Sequence, residues 1–135
     1  MEKTKIGMID YKISPKANFV KDGLEDLGFI VDAYSSFNEF ITKNNSFNDY
    51  CGLIVHLGVI PNIILNNVLL KYPHLRLAIG SLGAITFYDK NNLKENLLTD
   101  ISTRDNKEII KLLGEIPIFN YSDDFDEIMK YFKGE

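Results

Sequence analysis

The feature of the sequence that most constrains the fold is a short apolar run near its middle. Residues Cys51–Val55 read C-G-L-I-V, follow a polar segment at 44–49, and precede His56, Gly58 and Pro61. A short apolar run that is bounded by turn residues is typical of a strand buried on both faces of a parallel sheet. Ligands bind beyond the carboxyl ends of such strands, so we expect a functional site near His56.

The rest of the chain alternates predicted strands with predicted helices. The strands are predicted at Lys5–Asp10, Phe29–Ala33, Cys51–Val55, Leu75–Gly80 and Ile118–Tyr121. Helices are predicted after Ser14 and Ser36, over Asn62–Leu70 and Asn106–Leu113, and after Ser122. Leu82–Tyr88 fits a short helix, and Leu97–Ile101 fits either a strand or a helical turn. Strands and helices that alternate with short links predict a parallel sheet covered by helices on both faces.

Specific residues mark the ends of these helices. Ser14 before Pro15 is typical of a helix start, and Gly28 is suited to ending that helix. Ser36 and Glu39 have the spacing of a capping box, and Ser122 is predicted to cap the last helix. The residues predicted to face the core are Phe19, Val20, Leu24 and Leu27 in the first helix and Phe125, Ile128, Met129 and Phe132 in the last.

Composition excludes several classes of protein. The chain has 135 residues, 45% of them hydrophobic and 25% charged, which predicts one globular domain over residues 1–135. Its net charge is −4 and basic residues form no cluster, which argues against binding to nucleic acid. No apolar segment approaches the ~20 residues needed to span a bilayer. Cys51 is the only cysteine, so we expect no disulfide within the chain and a cytoplasmic location.

Three segments resemble the receiver domain of two-component response regulators. They are G-L-E-D-L-G-F-I-V-D-A-Y-S-S at Gly23–Ser36, L-I-V-H-L-G-V-I-P at Leu53–Pro61 and K-Y-P-H-L-R-L-A-I-G-S at Lys71–Ser81. The resemblance covers residues 5 to about 82 and, more loosely, 117–132. It implies an α/β fold of the flavodoxin-like type, in which three layers surround a doubly wound, five-stranded parallel sheet of order 2-1-3-4-5.

The resemblance also indicates where receiver chemistry would take place. Receivers use an acidic pair after the first strand to hold Mg²⁺ and an aspartate after the third strand to accept phosphate. A hydroxyl after the fourth strand and a lysine after the fifth bind the phosphoryl oxygens. The matching positions here are Asp10 and Tyr11, His56, Ser81 and Tyr121. Because only Asp10 and Ser81 keep the family's residue type, we expect a degenerate phosphorylation pocket without catalytic residues or a metal.

The resemblance therefore implies a pseudo-receiver that keeps the fold and has lost phosphoryl transfer. We expect a stand-alone domain that acts by protein–protein interaction in signalling or regulation, needs no cofactor and is not an enzyme. In receivers the last strand and helix commonly form the partner surface, which here implies Tyr121, Phe125 and Met129. The same surface allows a homodimer.

A second resemblance supports a different interpretation. I-G-M-I-D-Y at Ile6–Tyr11 and I-G-S-L-G at Ile79–Gly83 resemble parts of the class I glutamine amidotransferase fold, whose nucleophile is a cysteine. The corresponding residue here is Ser81, and a turn at that position would resemble a nucleophile elbow. The alternative function is thus a small enzyme or ligand-binding module that uses Asp10, His56 and Ser81. His56 could also accept a phosphoryl group, ligate a metal with Asp10, or act as a pH-sensitive contact.

Overall fold

The computed structural model of the chain describes residues 4–10, 14–44, 47–56, 59–66, 68–81 and 114–134. The strands are β1 (Lys5–Ile9), β2 (Ile30–Tyr34), β3 (Tyr50–Val55), β4 (Arg76–Ser81) and β5 (Ile118–Asn120). The helices are α1 (Pro15–Asp26), α2 (Phe37–Lys43), α3 (Ile60–Leu65), α4 (Val68–Lys71) and α5 (Phe125–Lys133). Among the described residues, no helix is both long and apolar enough to cross a membrane.

The five strands form one sheet in the order β2-β1-β3-β4-β5. Every pair of neighbouring strands is parallel. The predicted fold class and strand order are therefore confirmed, and the fold is of the flavodoxin-like type. In this order β1, β3 and β4 each have a strand on both sides, so their carboxyl ends lie next to one another along one edge.

Each face of the sheet carries its own hydrophobic core. Because side chains alternate along a strand, Ile9 and Leu53 point to one face, whereas Met8 and Ile54 point to the other. The first face is covered by residues of α2, α3 and α4: Phe37, Phe40, Ile60, Ile63 and Val68. The second face is covered by residues of α1 and α5: Ala17, Val20, Leu24, Ile128 and Phe132. These two cores give the three layers that the sequence predicts.

Several predicted helix ends are confirmed. The Ser14 hydroxyl accepts a hydrogen bond from the Ala17 N–H at 3.1 Å, and it caps α1 as predicted. Gly28 follows α1 with φ of 101°, a conformation that glycine adopts without strain. The Ser36 hydroxyl accepts from the Glu39 N–H at 3.1 Å, which caps α2.

Other sequence predictions are corrected. The last helix is not capped by Ser122: its N-cap is Asp124, because the preceding turn is held together by the side chain of Asn120. The helix predicted over Asn62–Leu70 is two helices, α3 and α4. At the end of α3 the Asn62 carbonyl accepts hydrogen bonds from the backbone N–H of Asn66 at 3.1 Å and from its side-chain amide at 2.8 Å.

The first helix differs from prediction in what it buries. Val20 and Leu24 are fully buried as predicted, but Phe19 is 62% exposed and Leu27 is 43% exposed. Phe19 instead lies on the outer side of α1, where its ring contacts that of Phe125 at a centroid distance of 4.8 Å. The predicted segments Leu82–Tyr88, Leu97–Ile101 and Asn106–Leu113 lie outside the described residues.

Candidate functional site

The structure brings four of the five predicted pocket residues to the same edge of the sheet. Asp10 follows β1, His56 follows β3, Ser81 ends β4 and Tyr121 follows β5. Backbone hydrogen bonds hold these positions: the His56 N–H donates to the Ile9 carbonyl at 2.8 Å, and the Tyr121 N–H donates to the Ser81 carbonyl at 2.9 Å. The fifth predicted residue, Tyr11, lies outside the described residues.

At the centre of this edge, Tyr121 is hydrogen-bonded to Asp10. The Tyr121 hydroxyl donates to Oδ2 of Asp10 at 3.1 Å, although the two residues are 111 positions apart in the chain. Asp10 is 4% exposed and Tyr121 is 1% exposed. Burying a carboxyl group is costly unless it is hydrogen-bonded, so the tyrosine hydroxyl satisfies an acid that solvent hardly reaches.

The ring of Tyr121 lies against the backbone of β4. A Cβ atom at Gly80 would be 2.4 Å from both Cζ and Oη of Tyr121, which is closer than non-bonded atoms approach. Only glycine therefore leaves room for the ring at this position. The side chain of Tyr121 thus occupies the space between the ends of β1 and β4. We call this place, where the Tyr121 side chain lies between Asp10 and Gly80, the crevice.

The electrostatics of the crevice keep the tyrosine protonated. Burial raises the pKa of Tyr121 well above its ordinary value, and the charge of Asp10 and the hydrogen bond to it raise this pKa further. The hydroxyl therefore remains a donor to Asp10 throughout the neutral range.

The crevice offers a magnesium ion little, because of its three residues only Asp10 carries a carboxylate. Mg²⁺ binds through carboxylate oxygens and water in octahedral geometry, and here the carboxylate of Asp10 faces a tyrosine hydroxyl. Among the described residues, no group of three or more His, Cys, Asp or Glu side chains could hold a metal. That Asp10 is part of a degenerate phosphorylation pocket stays a prediction.

A turn between β5 and α5 fixes the position of Tyr121. Oδ1 of Asn120 accepts hydrogen bonds from the N–H groups of Ser122 and Asp123, both at 2.9 Å. In return, Oδ2 of Asp124 accepts from the Asn120 N–H at 2.7 Å. These bonds hold the backbone just before and just after Tyr121, whose side chain lies against β4.

Sequence reasoning missed this turn and the role of Gly80. Asn120 is buried, with 7% exposure, and its bonds to the two following N–H groups form the turn that asparagine favours. The N-Y-S-D-D pattern at 120–124 could have indicated that turn. The contact between Gly80 and Tyr121 has no comparable local signal.

The other two predicted site residues line the same edge. His56 and Ser81 are each partly buried. Ser81 is the last residue of β4 and pairs with Asn120 of β5, so its backbone is extended. A nucleophile elbow instead places its serine on a sharp strand-to-helix turn.

The predicted partner surface is only partly exposed. Tyr121 is 1% exposed, and its role in partner binding stays a prediction. Phe125 and Met129 are partly buried and pack against the core beneath α1 and α5. A role for these two residues in partner binding stays a prediction.

Comparison with known proteins assigns no family to the chain. No family model matches it, and neither does any curated protein or solved structure. Its functional interpretation therefore depends on the fold and on the residues of the crevice.

Proposed function

We propose that this chain is a receiver-like regulatory domain that acts by binding another protein and does not transfer a phosphoryl group at the usual position. The strand order supports the proposal because receivers share the flavodoxin-like order seen here. A fold alone does not define a function, so the residues of the crevice carry the argument.

The observation that carries the proposal is the hydrogen bond from Tyr121 to Asp10. Oδ2 of Asp10 accepts this bond at 3.1 Å, so a magnesium ion would compete with the tyrosine hydroxyl for that oxygen. The position of the phosphoacceptor aspartate is occupied by His56, and that of the lysine is occupied by Tyr121. Two of the side chains that phosphoryl transfer needs are thus replaced, and the acid that would hold Mg²⁺ is already hydrogen-bonded.

We infer that the protein works in the cytoplasm. Cys51 is the only cysteine of the chain and is a free thiol, partly buried at the second residue of β3. Chains without a disulfide framework are usual in reducing compartments.

The test is whether the crevice binds Mg²⁺ together with beryllofluoride, a mimic of a phosphoryl group bound to a carboxylate. Ligands that bind the folded state raise its melting temperature, so a functional receiver pocket would be stabilised by the pair. We expect no rise in the melting temperature of this protein and no change in its ¹⁹F spectrum.

The control is the Asp10→Asn variant under the same conditions. A Mg²⁺-dependent rise that occurs in the wild-type protein and is lost in Asp10→Asn would contradict the proposal. A phosphoryl adduct on His56 after incubation with acetyl phosphate, detected by mass spectrometry, would contradict it equally.

The alternative function, a small enzyme or ligand-binding module, receives less support. It requires Asp10, His56 and Ser81 to face a common open space, but the Asp10 carboxyl group is 4% exposed and hydrogen-bonded to Tyr121. Ser81 is the last residue of β4 and is paired with Asn120 of β5. Neither observation favours nucleophilic catalysis at this edge.

A further inference from the structure

The outer side of α1 carries an exposed aromatic side chain. At 62%, Phe19 is the most exposed of the large hydrophobic residues in the described part of the chain. Its ring contacts Phe125 of α5, and the close approach of the two helices depends on Gly23, where a Cβ would be 2.5 Å from the Phe125 ring. Phe19 and Phe125 therefore form one apolar surface, and Phe19 is the part of it that is exposed to solvent.

Two opposite charges flank Phe19 on the same helix. Lys16 and Asp22 are both exposed, and they lie three residues before and three residues after Phe19. Residues three apart on an α-helix are neighbours, so Lys16 and Asp22 each lie next to Phe19 in a row that runs obliquely along α1. We call this row of Lys16, Phe19 and Asp22 the α1 face.

The α1 face is complementary to itself. A two-fold axis that passes beside Phe19 runs two copies of α1 antiparallel. Lys16 of each copy then lies opposite Asp22 of the other, which gives two ion pairs on either side of the two phenylalanine rings. Self-complementary surfaces of this kind are the basis of two-fold dimers.

The surface next to Phe19 also has room for a second ring. A groove of about 320 Å³ is lined by Pro15, Lys16, Phe19, Tyr121 and Ser122. Two Phe19 rings that meet at a two-fold axis cannot occupy the same position, so each would lie to one side. The groove provides that space and lets the rings pack in the offset arrangement that aromatic pairs prefer.

We propose that the α1 face binds the α1 face of a second copy of this chain. The inference names the partner for the proposed protein-binding role and rests on that role for its biological meaning. Stable dimers bury roughly 800 Å² on each partner, more than one helix of this length offers. We therefore expect a reversible dimer that forms at high protein concentration.

The experiment is sedimentation velocity on the full chain, from about 1 µM to about 1 mM. We expect the weight-average mass to rise from monomer toward dimer over this range. Lys16→Glu and Asp22→Lys each place like charges opposite each other twice in the dimer, and each should weaken association about tenfold. The double variant that carries both changes restores two opposite-charge pairs and should associate like the wild type. Phe19→Ser should remain monomeric.

The control is Asp49→Lys, which changes the charge by the same amount as Asp22→Lys at an exposed position in the turn before β3. It should associate like the wild type, and circular dichroism should show that every variant is folded. A protein that stays monomeric throughout would overturn the inference. Association that is unchanged by Phe19→Ser, or that the double charge exchange fails to restore, would overturn it too. None of these results bears on Mg²⁺ binding at Asp10, so failure here is distinguishable from failure of the pseudo-receiver proposal.

Discussion

Tyr121 lies across the end of β4 because the residue beneath its ring has no side chain. Gly80 gives the ring room, and Asp10 gives its hydroxyl a partner at 3.1 Å. Each of the three residues depends on the other two: without the glycine the ring could not approach, and without the ring the buried acid would lose its hydrogen bond.

At the residue scale, the first prediction concerns Gly80→Ala. The added methyl group would displace the ring of Tyr121 from its buried position and lengthen or break its bond to Asp10. We expect the free energy of unfolding to fall by about 1–3 kcal/mol, measured by urea denaturation.

The matched variant is Gly114→Ala. A Cβ at Gly114 meets no other atom within 4 Å, so we expect no loss of stability there and a gain of up to about 1 kcal/mol. Equal effects of the two substitutions would contradict the fit between Gly80 and Tyr121.

The second prediction at this scale concerns alkaline pH. Because burial and Asp10 raise the pKa of Tyr121, the folded protein holds the phenolic proton more tightly than the unfolded chain does. Below about pH 10 both states are protonated, and Tyr121 adds no pH dependence to stability. Above that pH the unfolded chain loses this proton first, so the free energy of unfolding should fall by about 1.4 kcal/mol per pH unit for this group.

The measurement is urea denaturation between about pH 9 and pH 11 for the wild-type protein and for Tyr121→Phe. The wild-type slope should be the steeper of the two. Tyr50, whose pKa is also raised by burial and by its hydrogen bond to Asp32, is present in both proteins and cancels in the comparison. Parallel slopes would mean that the environment of Tyr121 does not disfavour its ionised form.

At the scale of elements, the turn between β5 and α5 determines where the last helix begins. The side chain of Asn120 accepts hydrogen bonds from the N–H groups of Ser122 and Asp123, and the side chain of Asp124 accepts one from the N–H of Asn120. This closed arrangement explains why α5 starts at Phe125 and why Ser122 does not cap it.

The prediction at this scale is that Asn120→Ala lowers the free energy of unfolding by about 1–2 kcal/mol, because the turn loses the hydrogen bonds from the N–H groups of Ser122 and Asp123. Chemical denaturation measures the change. Asn66→Ala is the matched control, since Asn66 is exposed and its side-chain amide donates to a carbonyl of its own helical turn. Similar small losses in both variants would show that the turn contributes little.

At the scale of the whole molecule, the sequence predicts the sheet well. Strands such as Tyr50–Val55 are short apolar runs between turn residues, and right-handed crossovers leave few ways to order parallel strands. The edge on which Asp10, His56, Ser81 and Tyr121 meet follows from that order, because parallel strands end on the same side.

What the sequence does not predict depends on contacts between distant segments. The burial of Tyr121 requires Gly80 and Asp10, and no local pattern connects residues 111 positions apart. The exposure of Phe19 is likewise decided by how α5 packs on α1, since periodicity alone assigns Phe19 to the buried stripe. Local signals therefore define the elements, and tertiary packing defines the site.

The bond between Tyr121 and Asp10 joins the first strand of the chain to the last, and this has a consequence for the order of folding. Closing so long a loop is slow, because the chain loses conformational entropy before the contact contributes any favourable free energy. Asp10 therefore stays hydrated until β5 docks beside β4. Dehydration of the acid and docking of the C-terminal strand are then one event, late in folding.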